Sequence, residues 1–322
     1  KPVFLSRKPP IVACGCPTAA MSRGCGVGSL SMQVVYHLGA HATDAERLLR
    51  CLLKNRTGLA DAGILVPPPG RYRMLLRETV AKLKGAPATR HMQGMMLETV
   101  TDGDSAARIV FSSDDFLGIA HRVIGEAGFY SMAARRVAAL ANLFPEAEAE
   151  FHIAICNPAS LVPHLIGEIR GATYATVMGD TDPMSLRWLP VIRAMRDALP
   201  EARLVVWCHE DAPLIWPEAL RAVAGVAEGM ALEGDDDLLR TIMRPEGHKR
   251  LTEYFARYPP KGVPQRRRVV TAFLEKFALD DAIDVEVALP GWTEALTGRI
   301  TETYEADAAA IAQIRGVEMI AP

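Results

Sequence analysis

The chain has 322 residues, 49% hydrophobic and 23% charged, enough to bury the core of one large α/β domain or two modest ones. A net charge of −2 and an aromatic share of 6% argue against a partner among nucleic acids or anionic membranes, for want of a basic field and of rings that stack on bases. No apolar run approaches the roughly 20 residues that span a bilayer, and the six cysteines form no C-x-x-C pair, so a cytoplasmic protein without a zinc site is expected.

In chain order, residues 1–31 come first. They mix Pro, Gly, Arg and Cys with no sustained period, are basic, and lack the continuous apolar stretch of a signal peptide. They read as an unstructured leader or a start-site artefact, with the functional chain beginning near Met32 as one α/β domain over 32–322. Cys14, Cys16 and Cys25 fall in this leader; Cys51, Cys156 and Cys208 sit in apolar segments and read as buried thiols. Apolar β-rich runs follow at 33–38, 109–111, 151–155 and 204–208, each apolar at nearly every position, as strands covered on both faces of a parallel sheet require. Helical spacing lies between them. Val137, Leu140, Ala141 and Phe144 recur at i, i+3, i+4, i+7, and Ile192, Met195 and Leu199 repeat the pattern behind Pro190. This alternation predicts a doubly wound, mainly parallel sheet. From 229 to 322 the spacing is helical, with stripes at Leu251/Tyr254/Phe255/Tyr258, Val270/Phe273/Leu274/Phe277 and Trp292/Leu296/Ile300/Tyr304, and this part is expected to pack back on the sheet.

Ligands of open parallel sheets bind beyond the carboxyl ends of the strands. Those ends deliver Gly39-Ala40-His41-Ala42-Thr43-Asp44, then Ser112-Ser113-Asp114-Asp115, then Cys156-Asn157-Pro158, then His209-Glu210-Asp211. The first of these joins a strand to a helix, the layout in which backbone N–H groups hold an anion.

"VYHLGAHATDAERL" resembles the 5′-phosphosulfate loop of the sulfotransferase family, a P-loop-related fold that uses the sulfate donor PAPS. That loop runs Gly-x-x-Lys-Ser/Thr-Gly-Thr-Thr. Gly39 and Thr43 match, Ala42 takes the lysine position, and Asp44 takes the second glycine position. "AICNPASLVPH" is similar to the family's 3′-phosphate turn. Asn157-Pro158 fit there, Cys156 replaces an arginine, and His164 stands where a serine would follow. "FSSDDF" resembles a Ser-Ser-Glu segment of the bacterial members, and "ITETYEADAAAIAQI" a closing Tyr-x-x-Asp helix. The resemblance implies a P-loop/sulfotransferase-like fold and a donor site made of residues 39–44 with Cys156, Asn157 and His164. It also implies sulfuryl transfer from PAPS to a small-molecule hydroxyl or amine acceptor.

Each departure from the family pattern lowers anion affinity. The absent lysine would stabilise charge on the bridging oxygen, and loss of one such preorganised donor costs about 10²–10³ in rate. Cysteine lacks the forked contact of arginine. Asp44 at a helix start satisfies the macrodipole from within and repels an anion. Two readings of the loop therefore stand: a weakened donor site, or a plain connection closed by a Thr43/Glu46 capping box, in a non-catalytic relative that binds a small molecule or a protein. His41 is either an imidazolium that helps the donor or a solvent-facing loop residue. Asp114 and Asp115 are either a general base for the acceptor or an N-cap. Asp114, Asp115, His209 and Glu210 raise metal-assisted hydrolysis as a third idea, although no metal is expected. Arg266-Arg267-Arg268 is either a solvated helix face or a substitute anion contact.

Overall fold

The computed structural model describes residues 32–44, 46–227, 230–279 and 289–322; the leader and the segment 280–288 lie outside them. In chain order the elements are β1 (Gln33–His37), α1 (Arg47–Lys54), α2 (Arg56–Asp61), β2 (Ile64–Leu65), α3 (Pro69–Leu83), α4 (Arg90–Thr101) and β3 (Arg108–Ser112). Then come α5 (Ala133–Ala141), β4 (Glu148–Ile155), α6 (Pro158–Glu168), α7 (Tyr174–Met178), α8 (Trp188–Ala198), β5 (Arg203–Cys208) and α9 (Ala212–Ala224). The chain finishes with α10 (Asp237–Ile242), α11 (Pro245–Arg257), α12 (Val263–Phe277), α13 (Glu294–Ile311) and β6 (Val317–Ile320).

Six strands form one sheet in the order β2-β3-β1-β4-β5-β6, and every neighbouring pair is parallel. The predicted α/β class with a parallel sheet is what the chain adopts. The apolar runs became strands because both faces are covered. Val34 and Tyr36 face a layer that includes α3, α5, α8 and α13, while Val35 faces α1 and α9. Cys51, Cys156 and Cys208 are buried thiols that form no disulfide, as expected.

Two expectations about the C-terminal part need correction. It is not helical throughout, because Val317–Ile320 returns as an edge strand beside β5. Nor do α11 and α12 pack on the sheet. Leu239, Met243, Leu251 and Val270 form a small separate core with them, whereas α13 joins one sheet layer through Tyr304, Ala308 and Ile311, and Leu232 and Leu238 join the layer on the opposite face. The resembled Tyr-x-x-Asp pair explains that docking. Tyr304 donates to Glu210 Oε2 at 2.6 Å and lies 3.2 Å from the Ile155 carbonyl. Asp307 accepts from Arg187 Nε at 3.0 Å and from the Leu189 N–H at 3.1 Å, which caps the start of α8.

The order places β1 between β3 and β4. The connection leaving β1 runs toward the β2 edge and the one leaving β4 runs toward β5, so the crossovers diverge at this point. Ligand crevices of open parallel sheets form at such a switch, beyond the carboxyl ends. The loop after β1, the turn after β3 and the start of α6 all meet there.

Candidate functional site at the strand edge

Beyond His37 the chain turns at Gly39, whose φ of 47° is the left-handed region that only glycine enters without cost. A Cβ at Gly39 would lie 3.5 Å from the Asp114 backbone, so the turn is seated directly on the segment that follows β3. Ala42 (φ 63°) and Glu46 (φ 62°) are also left-handed, which non-glycine residues adopt sparingly. Such outliers persist where surrounding structure enforces them. The loop thus keeps a tightly curved path from the sheet into α1.

Its capping differs from the expected box. Thr43 Oγ1 donates to the Ala40 carbonyl at 2.5 Å and so closes the turn. Glu46 reaches sideways to Arg73 of α3 at 2.5 Å and makes no cap hydrogen bond. Asp44 supplies the cap instead: Oδ2 accepts the Leu48 N–H at 2.8 Å, and its carbonyl accepts from Arg47 N at 2.9 Å. A carboxylate of the chain therefore occupies the positive end of α1.

His41 is not a solvent-facing loop residue; it is 3% exposed. Its backbone N–H donates to the Tyr130 hydroxyl at 3.2 Å, leaving the hydroxyl proton for Nδ1 at 3.1 Å. Tyr130 stacks on Trp188 with ring centroids 5.0 Å apart. The Trp188 indole donates to the Cys156 carbonyl at 2.7 Å, and the Cys156 thiol points back at the His41 carbonyl at 3.6 Å. These four residues close a ring of contacts around the loop. Burial pulls the His41 pKa down, and the neighbouring carboxylates of Glu168, Asp114 and Asp115 oppose that without reversing it. A neutral imidazole follows at pH 7, which brings no charge to an anion.

The turn after β4 is engaged in the same inward manner. The Cys156 side chain is buried and its thiol pKa is pushed well up by burial, chiefly. Asn157 Oδ1 accepts the Ala159 N–H at 2.9 Å as the cap of α6, and Nδ2 donates to Thr301 Oγ1 at 2.9 Å. Its backbone N–H donates to Glu210 Oε1 at 2.7 Å, the carboxylate whose other oxygen accepts from Tyr304. His164 sits almost two turns into α6, exposed, with Nε2 3.5 Å from Glu168.

Asp114 and Asp115 open a 3₁₀ turn, but the cap is Ser113, whose Oγ accepts the Asp115 N–H at 3.3 Å. Asp114 is half-buried and Asp115 exposed. On the other face, His37 Nδ1 lies 2.8 Å from Ser112 Oγ, and the ring stacks parallel on Trp207 at 6.0 Å. His209-Glu210-Asp211 forms a 3₁₀ turn into α9, with no side-chain cap on that helix. Among the described residues no three His, Cys, Asp or Glu side chains are grouped to hold a metal ion.

The structure thus brings residues 39–44, Asp114, Asp115, Cys156 and Asn157 to one edge, with His164 further along α6. Sequence spacing does not reveal Tyr130, Trp188 and Arg73, the side chains that hold the loop. Tyr130 lies in a segment without a helical or strand period, whereas Trp188 continues the Ile192/Met195/Leu199 spacing one turn earlier, a signal that places it on the buried side of α8 but not against Tyr130. No protein-family model, curated protein or solved structure matches this chain.

Proposed function

We propose that this chain is a non-catalytic binding protein built on a sulfotransferase-like scaffold, in which the donor loop keeps its shape and has lost its anion. The observation that carries this reading is the Asp44 carboxylate on the Leu48 N–H, because it fills the helix start where a donor phosphate would lie. The neutral, buried His41, the inward Cys156 thiol and the fully engaged Asn157 support it. Each group that the resemblance assigns to the donor has a partner within the chain or carries no positive charge.

The test is thermal unfolding with adenosine 3′,5′-bisphosphate, since a ligand that binds only the native state must raise its Tm. The wild-type chain is expected to show no shift at millimolar bisphosphate. The double variant Ala42→Lys/Asp44→Gly, which restores the charge and frees the helix start, is expected to gain a shift of several degrees. A rise in the wild-type Tm would overturn the reading in favour of a working PAPS site, with Asp114 or Asp115 as the base for an acceptor. Separately, Asp44→Ala removes the cap of α1 and is expected to cost about 1 kcal/mol in chemical denaturation.

A further inference from the structure

The structure divides the Arg266-Arg267-Arg268 run. Arg266 pairs with Asp236 at 2.7 Å and Arg267 with Glu218 at 2.8 Å, which fastens α12 to its neighbours. Arg268 is exposed and lines a groove of about 470 Å³ between α11 and α12, with Tyr254, Gln265, Val269, Ala272 and Phe273. The helices come this close because Gly247 has no side chain: a Cβ there would stand 2.3 Å from Phe277 Cβ. Leu239, Met243, Leu251 and Val270 make the small core beneath, with Phe255, Phe273 and Phe277 packed half-buried against it and Tyr254 and Tyr258 left exposed.

Those rings form a continuous ladder. Tyr258 to Tyr254, Tyr254 to Phe273 and Phe273 to Phe277 have centroids 5.3, 6.0 and 5.9 Å apart. Tyr254 and Tyr258 are 38% and 51% exposed, unusual for aromatic side chains at helical spacing. Cations sit over both ends, Arg257 on Tyr258 at 5.5 Å, and Arg250 and Lys276 on Phe277 at 5.6 and 5.5 Å. Residues 244–279 hold nine lysines and arginines against three glutamates, in a chain whose net charge is −2. With Arg266 and Arg267 neutralised by their partners, the cations placed beside the groove and the ring ladder are Arg250, Arg257, Arg268 and Lys276.

We infer that the α11–α12 groove is a docking site for an acidic amphipathic helix of a partner protein. A trough between two helices accepts the apolar stripe of a third. Tyrosine and arginine are the side chains that anchor such contacts. The cationic rim selects acidic flanks and speeds their capture. The same geometry disfavours the other anionic partners. The rings pack on one another and under cations, which leaves no row of open faces for bases. Nor does a chain with a net charge of −2 carry a general pull toward an anionic membrane. This surface is separate from the strand edge and does not depend on how the edge is read.

The probe is a fluorescently labelled 18-residue helical peptide with leucine at i, i+3, i+4 and i+7 and glutamate at most other positions, titrated with the full chain and followed by anisotropy. Saturable binding is expected, weakened at least tenfold by Arg268→Glu, by Tyr254→Ser and by raised salt. A lysine-for-glutamate peptide, and one of the same composition with the leucines out of helical register, are expected to bind at least tenfold more weakly. Circular dichroism checks folding, and Arg268→Glu alone decides the matter if Tyr254→Ser does not fold, because Arg268 is exposed and outside the core. Equal binding of the out-of-register peptide, or no effect of Arg268→Glu, would overturn the proposal. So would tighter binding of single-stranded oligothymidine or phosphatidylserine vesicles, or self-association of the chain that Arg268→Glu abolishes.

Discussion

Replacing Trp188 by alanine is expected to destabilise the fold by about 3–5 kcal/mol and to release His41. The indole is wholly buried, packed edge-on against Phe129 at 4.9 Å and stacked on Tyr130 at 5.0 Å. Alanine leaves a large cavity and strips the Cys156 carbonyl of its donor, so a transfer loss and an unsatisfied acceptor combine. Trp188→Phe keeps most of the packing and is expected to cost less, mainly the lost hydrogen bond. The distinguishing readout is His41. With Tyr130 no longer held by the indole, the imidazole gains water and its pKa is expected to rise toward its ordinary value, as followed by NMR titration of the ring. A Trp188→Ala variant that keeps both its denaturation midpoint and the depressed His41 pKa would show that the aromatic ring of contacts does not close the loop.

The sheet was legible in the residues because its central strands are apolar on both faces, a pattern few other structures share. Where the faces are less covered the signal faded. Val317–Ile320 is a half-buried edge strand, and Ile64–Leu65 is two residues long, so neither carries a countable period. The polar residues beyond the strands were also legible, since a parallel sheet puts all its carboxyl ends at one edge. Their engagement was not. His41 is buried by Tyr130, 89 positions further along, and spacing within a loop says nothing about such a partner. The exchange of Thr43 for Asp44 as the cap follows from the left-handed Glu46, a backbone state that the residue type disfavours. In the C-terminal part, periodicity correctly located α11 and α12 but assigned Tyr254 and Tyr258 to a core. A stripe reports that one side of a helix is apolar; it does not report what covers it.

At the opposite end of the sheet lies a buried polar network that makes the fold sensitive to acid. Arg108 holds Glu150 through two hydrogen bonds at 2.7 and 3.0 Å, Arg203 approaches the same carboxylate at 3.4 Å, and His152 Nε2 lies 3.2 Å from it. Burial pushes the Glu150 carboxyl up, but hydrogen bonds from His152 and Arg108 outweigh it and leave it well below the usual carboxylate range. Burial lowers the His152 pKa to about 4, although Glu150 pulls the other way. The buried His37 and His41 and the half-buried His209 are lowered for the same first reason.

As pH falls below about 6.5, histidines of the unfolded chain take up protons that the folded chain refuses, so the unfolded state binds more protons and stability declines. For His152 the loss is complete below pH 4 and amounts to about 3 kcal/mol. Glu150 adds to it as pH drops through the unfolded carboxylate range, and above pH 7 neither group contributes a slope. The urea midpoint is therefore expected to be flat from pH 7 to 8 and to fall steadily from 6.5 to 4. His152→Gln keeps an N–H for Glu150 without a titrating ring, and should make that decline shallower while leaving the midpoint at pH 7.5 nearly unchanged. A wild-type midpoint that stays constant down to pH 5 would mean that these histidines gain protons as readily in the native chain as in the unfolded one, and the closed, neutral environment assigned to His41 would fall with it.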